Sequence, residues 1–121
     1  MKHKPAPDVR AELWQSFVGL LKAYAAAASM GGHEHGVLVL TETSLQIIAA
    51  PETLSVAYYQ ALGRGVWALT SGTDMNRGTF EVNLDGTISL EEIAIDMDHA
   101  AIQLIASLTS AAKQNQIEVL V

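Results

Sequence analysis

His33, Glu34 and His35 form the most suggestive chemical grouping in the chain. In an extended segment, side chains two residues apart project to the same side, so both imidazoles can grip one divalent ion. A metal site needs a third protein ligand, and a catalytic one leaves a further position open to water. Asp96-Met97-Asp98-His99 is the natural supply, with His99 the best candidate. Such a set would define a small metal-assisted hydrolase built on His33 and His35, with Asp98 or His99 completing it. The pattern falls short of that in two ways. There is no HExxH, and Glu34 lies between the histidines rather than beside them on a helix. The simpler reading is a solvated connector after a helix C-terminus, where histidine is favoured. On that reading the chain needs no cofactor.

The Asp96–His99 segment could also serve as an acid/base couple if a nucleophile stood nearby. More simply, Asp98 caps a helix, Asp96 is exposed and His99 sits in the first turn. No GxSxG, P-loop or GxGxxG occurs. The absence of a catalytic motif favours a non-enzymatic module.

Tyr58, Tyr59, Arg64 and Trp67 cluster around Gly63-Arg64-Gly65. Aromatic residues with an arginine make binding hot spots. Tyr59, Arg64 and Trp67 are therefore the candidate contact residues for a protein partner or a second copy of the chain. The competing assignment puts Trp67 and Tyr58 in the core and Arg64 on a turn.

The bulk numbers narrow the partner class. The formal charge is −6, and no Lys or Arg falls between Arg77 and Lys113. Glu81, Asp85, Glu91, Glu92, Asp96 and Asp98 all lie in that interval. Such a surface repels phosphate backbones, which argues against nucleic acid. There is no cysteine, which removes disulfides and thiolate chemistry and fits a reducing cytoplasm. At 121 residues, half of them apolar, the chain reads as one domain with its own core. No segment has the uninterrupted apolar length of a membrane span. Asp8, Arg10 and Glu12 stand where the apolar part of a signal peptide would begin.

The elements that must position these residues follow from periodicity. Residues 1–7, charged and with two prolines, read as a disordered tail ahead of a single domain over 8–121. Residues 8–30 predict a helix. Leu13, Phe17, Leu20, Leu21, Tyr24 and Ala28 recur at steps of three and four, Trp14, Val18 and Ala25 widen the stripe, and Gly31-Gly32 stops it. Residues 37–40 and 45–50 predict two strands. The first is apolar on both faces, and helices can cover only one of them, so a second copy is expected on the other. Residues 51–62 read as a helix beginning at Pro51-Glu52, with a strand as the alternative. Residues 66–71 read as a strand and 73–78 as a long polar turn.

Residues 79–84 alternate, with Phe80, Val82 and Leu84 facing one way, and Asp85-Gly86 then makes a strong hairpin turn. The next strand loses its alternation at Glu91-Glu92 and resumes at Ile93, as a bulge would cause. Ser89-Leu90-Glu91-Glu92 also fits a capping box, and the Asp-Gly turn decides for strand. A last helix is expected from His99 to about Gln114, and residues 117–121 as a final short strand or a loose end. The expected fold is α+β: an antiparallel sheet of about four to six strands, covered by a long N-terminal helix and a C-terminal helix. The expected function is a protein-interaction or regulatory module that self-associates, most simply as a homodimer. A small-ligand carrier with a pocket between helix and sheet is a further alternative.

Overall fold

The computed structural model describes residues 9–31 and 34–120, with side chains as far as 112. The expected tail over 1–7 lies outside the described residues. The element order is α1 (Val9–Met30), β1 (Gly36–Thr41), β2 (Ser44–Ala49), β3 (Glu52–Tyr59), a short 3₁₀ turn (Gln60–Leu62), β4 (Arg64–Ser71), β5 (Asp74–Val82), β6 (Thr87–Leu90), β7 (Ile93–Asp96) and α2 (Met97–Leu120). The strands form one antiparallel meander in sequence order, β1 to β7. Both helices lie on the same face of it. The architecture is the expected α+β sheet under two helices, with seven strands rather than about four to six.

Three corrections follow, of which two add strands and one lengthens β5. Residues 51–62 are mostly strand, not helix: Leu54, Val56 and Tyr58 are buried and alternate with half-buried Thr53, Ser55 and Ala57. Apolar residues at 54, 58, 61 and 62 satisfy a helical period nearly as well, and pairing with β2 and β4 on both sides decides for strand. Glu52, expected in the first turn of a helix, is fully buried at the start of β3, paired with Ala49. Residues 73–78 are not a long turn. Ser71 already pairs with Asp74, and Gly72 at φ 61° makes the reversal tight, so a polar stretch becomes the outer half of β5.

The third correction concerns Glu91 and Glu92. They form a two-residue reversal, not a bulge, and Leu90 pairs with Ile93. Both devices shift the alternation by one residue, so the sequence pattern fits either. Glu91 and Glu92 have φ of 51° and 71°, the left-handed region where a Cβ is unfavourable. Turns of this kind prefer Asn-Gly. Replacing Glu92 by Gly should therefore stabilise the domain by about 1 kcal/mol. Thermal unfolding should show a rise in Tm of roughly 4 °C. An unchanged or lower Tm would mean that this turn is not strained.

At the C-terminus, α2 starts directly after β7 at Met97 and runs to Leu120, so residues 117–120, expected as part of a short strand or a loose end, are helical. Asp98 lies in its first turn rather than ahead of it, and its carboxylate accepts a hydrogen bond from the Tyr24 hydroxyl at 3.0 Å. That bond, with the charge of Asp98, raises the Tyr24 pKa.

The core forms where the apolar side of the sheet meets the helices. Trp14, Phe17, Leu21 and Ala25 of α1 and Leu104, Ile105 and Leu108 of α2 pack on Leu45, Ile47, Leu54, Val56, Phe80 and Ile88. The aromatic centre is a stack: Trp14 lies 5.1 Å from Tyr58 with planes 13° apart, and 6.3 Å from Phe80 at 14°. Glycine makes room for it. A Cβ on Gly65 would strike the Phe80 ring and the Ala57 carbonyl, and one on Gly78 would come within 2.8 Å of the Trp67 indole. The Asp85-Gly86 turn is strapped by side chains, since Asp85 accepts hydrogen bonds from the Thr87 amide at 2.9 Å and hydroxyl at 2.7 Å. Those bonds hold the Asp85 carboxyl below its ordinary pKa. Phe80 and Val82 face the core as expected, whereas Leu84 falls in the turn and is exposed.

Candidate functional site

The histidines are built into different parts of the molecule. His33 lies outside the described residues. His35 is buried and ties the two helices to the start of β1. Its backbone N–H donates to the Ser29 hydroxyl of α1 at 2.8 Å, and its Nε2 lies 2.9 Å from the Thr109 hydroxyl of α2. Thr109 donates its own hydrogen to the Ile105 carbonyl at 2.9 Å, so it accepts from His35, whose Nε2 is the donor. His99 is 68% exposed and lies 3.6 Å from the Asp96 carboxylate, three residues back. Thr109, which His35 touches, and His99 are ten residues apart on α2, or about 15 Å of helix. A metal–nitrogen bond is about 2 Å, so His35 and His99 do not share an ion. Among the described residues, no three His, Asp or Glu side chains gather in a way that could hold one.

The aromatic and arginine cluster divides by strand parity. Tyr59 and Arg64 are cross-strand partners and both point to the face away from the helices, where Tyr59 is 52% exposed. Trp67 is three residues beyond Arg64 and points to the opposite, helix-covered face, over Gly78. It helps to line a cleft between the sheet and α2. The three residues do not form one patch. Nothing in the spacing of Arg64 and Trp67 hid this. An odd separation in a strand separates faces, but the strand assignment had to come first.

The most exposed apolar element is β1. Val37, Leu38, Val39 and Leu40 are 37% to 52% exposed although they sit in a sheet. Among the described residues, β1 is the edge strand and only β2 pairs with it. Val37 and Val39 point to the helix side. There Val39 borders a recess of about 190 Å³ with Trp14, Val18 and Lys22 of α1. Leu38 and Leu40 share the open face with Ile48, Ala57, Val66 and Ala68, and a shallow notch of about 140 Å³ lies among the last three and Leu40. A bulge at Leu40, where the register shifts between Val39 and Thr41, ends the regular edge. The doubly apolar pattern of 37–40 is visible in the sequence. Its position at the rim of the sheet is not.

The opposite edge differs in kind. β7 has only four residues, follows Glu91-Glu92 and ends in Asp96. Short length and charge are the usual protection of a strand edge. β1 carries neither.

Comparison with models of known protein families, with curated proteins and with solved structures found no match for this chain. Among the described residues, no helix is long and apolar enough to cross a membrane.

Proposed function

We propose that this protein is a non-enzymatic interaction module that works as a homodimer, joined edge to edge through β1. The observation that carries the reading is the exposed, uncharged run of Val37 to Leu40 at an unpaired sheet edge. Unpaired backbone N–H and C=O groups there are a template for another strand. A second copy is the fitting occupant on charge. The chain carries a net charge of −6, so most ways of bringing two copies together oppose like charges. Residues 36–41 contain no charge at all. Antiparallel pairing about a twofold axis matches β1 to itself, and β7 is guarded, so one open edge per copy gives a closed dimer rather than a fibre.

In this dimer Leu38 and Leu40 extend the open face across the twofold axis, and Tyr59 and Arg64 lie on that same face as a place for a further protein partner. Trp67 stands apart from it. The acidic surface disfavours nucleic acid, and the cysteine-free sequence suits the cytoplasm.

Sedimentation velocity over a range from low to high micromolar concentration tests the proposal. The parent should sediment as a dimer. Leu38→Lys should be monomeric throughout, because it brings two like charges together near the axis. Its Tm at low concentration should stay close to that of the parent, since Leu38 is half exposed. A parent that is monomeric at high micromolar concentration sinks the idea, as does a Leu38→Lys protein that sediments like the parent.

A further inference from the structure

The sheet is stepped on the helix side. β4 and β5 stay paired out to Ser71 and Asp74, whereas β6 pairs with β5 only from Phe80 to Val82. Beyond Leu90, β6 gives way to the Glu91-Glu92 reversal, and the inner face of β5 at Gly78 is left without a neighbouring strand side chain. Trp67 fills part of this step by lying across Gly78. A cleft of about 240 Å³ remains, open to solvent. Trp67 borders it, Leu90 and Ile95 line it from the strands, Leu104 and Gln103 line it from α2, and Glu91 lines it from the β6–β7 reversal.

We infer that this cleft binds a small organic cation, of the alkylammonium class. Three features carry the inference. First, an indole face attracts a cation through its quadrupole, and Trp is the strongest side chain in this respect. The apolar walls suit alkyl groups on the nitrogen better than a bare, strongly hydrated ion. Second, the charge is complementary. Among the described residues, Glu91 lines the cleft and no Lys or Arg does, and residues 78–112 contain neither Lys nor Arg. Third, the volume lies below the range of about 300–1,000 Å³ typical of drug-sized pockets, so the occupant is small. On successive turns of α2, the Gln103 amide can donate or accept, and the Ser107 hydroxyl, which donates to the Gln103 backbone carbonyl at 2.9 Å, can accept from a hydroxyl on the ligand. This site lies toward the far edge of the sheet from β1, and it does not depend on the dimer.

Choline is a suitable probe, with 3,3-dimethylbutan-1-ol as its uncharged isostere. The readout is the Trp67 indole N–H resonance, told apart from that of Trp14 by its loss in Trp67→Phe. Choline should shift it saturably, with a midpoint in the millimolar range expected of a small, partly open aromatic site. Glu91→Gln should weaken binding at least about fivefold, and the isostere should bind at least about tenfold more weakly than choline. Glu91 is exposed, so Glu91→Gln should fold as the parent does, and an unchanged amide spectrum checks this. No saturable shift up to about 50 mM choline overturns the inference, since an affinity weaker than that is not a site. Equal binding of choline and its isostere, or equal binding by Glu91→Gln and the parent, overturns it as well.

Discussion

Phe80→Ala should bring the domain close to unfolding. The Phe80 ring is 1% exposed, and its centroid lies 5.8 Å from that of Phe17, 6.3 Å from Trp14 and 6.4 Å from Tyr58. It therefore joins α1 to β3, β4 and β5 at one point. Truncating a buried Phe costs about 3–5 kcal/mol, against a total stability of about 5–15 kcal/mol for a domain of ordinary size. Urea unfolding should show a large fall in midpoint with little change in slope. Gly65→Ala probes the same packing from the other side. Its added methyl meets both the Phe80 ring and the Ala57 carbonyl, an overpacking worth about 1–3 kcal/mol. The two changes should not add. With the ring gone, the Gly65→Ala methyl has only the carbonyl to displace, so the double variant should be more stable than the sum predicts. Strict additivity would show that the ring does not lie over Gly65.

Trp14→Ala should be comparably damaging, at about 3–5 kcal/mol, and Trp14→Phe separates its two roles. The indole is buried in the aromatic stack, and its N–H also donates to the Glu42 carbonyl at 2.9 Å. Glu42 lies in the turn between β1 and β2. Gln15 donates to the same carbonyl at 3.3 Å, so consecutive residues of α1 hold this turn. Phe keeps most of the packing and loses the donor, for a cost of roughly 1–2 kcal/mol in lost hydrogen bond and volume. The effect should be concentrated. Amide exchange in β1 and β2 should accelerate more than in β5 and β6. Because β1 is the proposed dimer edge, Trp14→Phe should also weaken association, without touching any residue of that edge. Uniform acceleration across the sheet would show that the tie to Glu42 is not specific.

Much of this architecture is written in short-range patterns. The first helix shows in the three- and four-residue steps from Leu13 to Ala28, and the hairpin in Phe80, Val82 and the Asp-Gly turn, because helix stripe and strand alternation are properties of a few neighbouring residues. The split between residues that can and cannot be read this way is physical. Residues 51–62 satisfy both periods, and the chain chooses strand because β2 and β4 offer hydrogen bonds on both sides. Glu91-Glu92 signals a one-residue change of phase, and only the position of β7 distinguishes a reversal from a bulge. The polar residues from Asp74 to Gly78 look like a loop because they meet no core, yet they are held extended by pairing with β4.

The candidate sites divide along the same line. The apolar run of residues 37–40, the acidic balance of the C-terminal half and the lack of cysteine belong to the sequence by itself, since composition and local pattern need no partner elsewhere in the chain. Tertiary structure alone decided that this run lies at an edge, that Tyr59 and Arg64 face away from Trp67, and that His35 and His99 stand at different heights of α2. Each of these depends on which strand lies beside which, and on the parity counted from a register set many residues away. A one-residue shift in that register exchanges the two faces of a strand, and no local preference is strong enough to specify it.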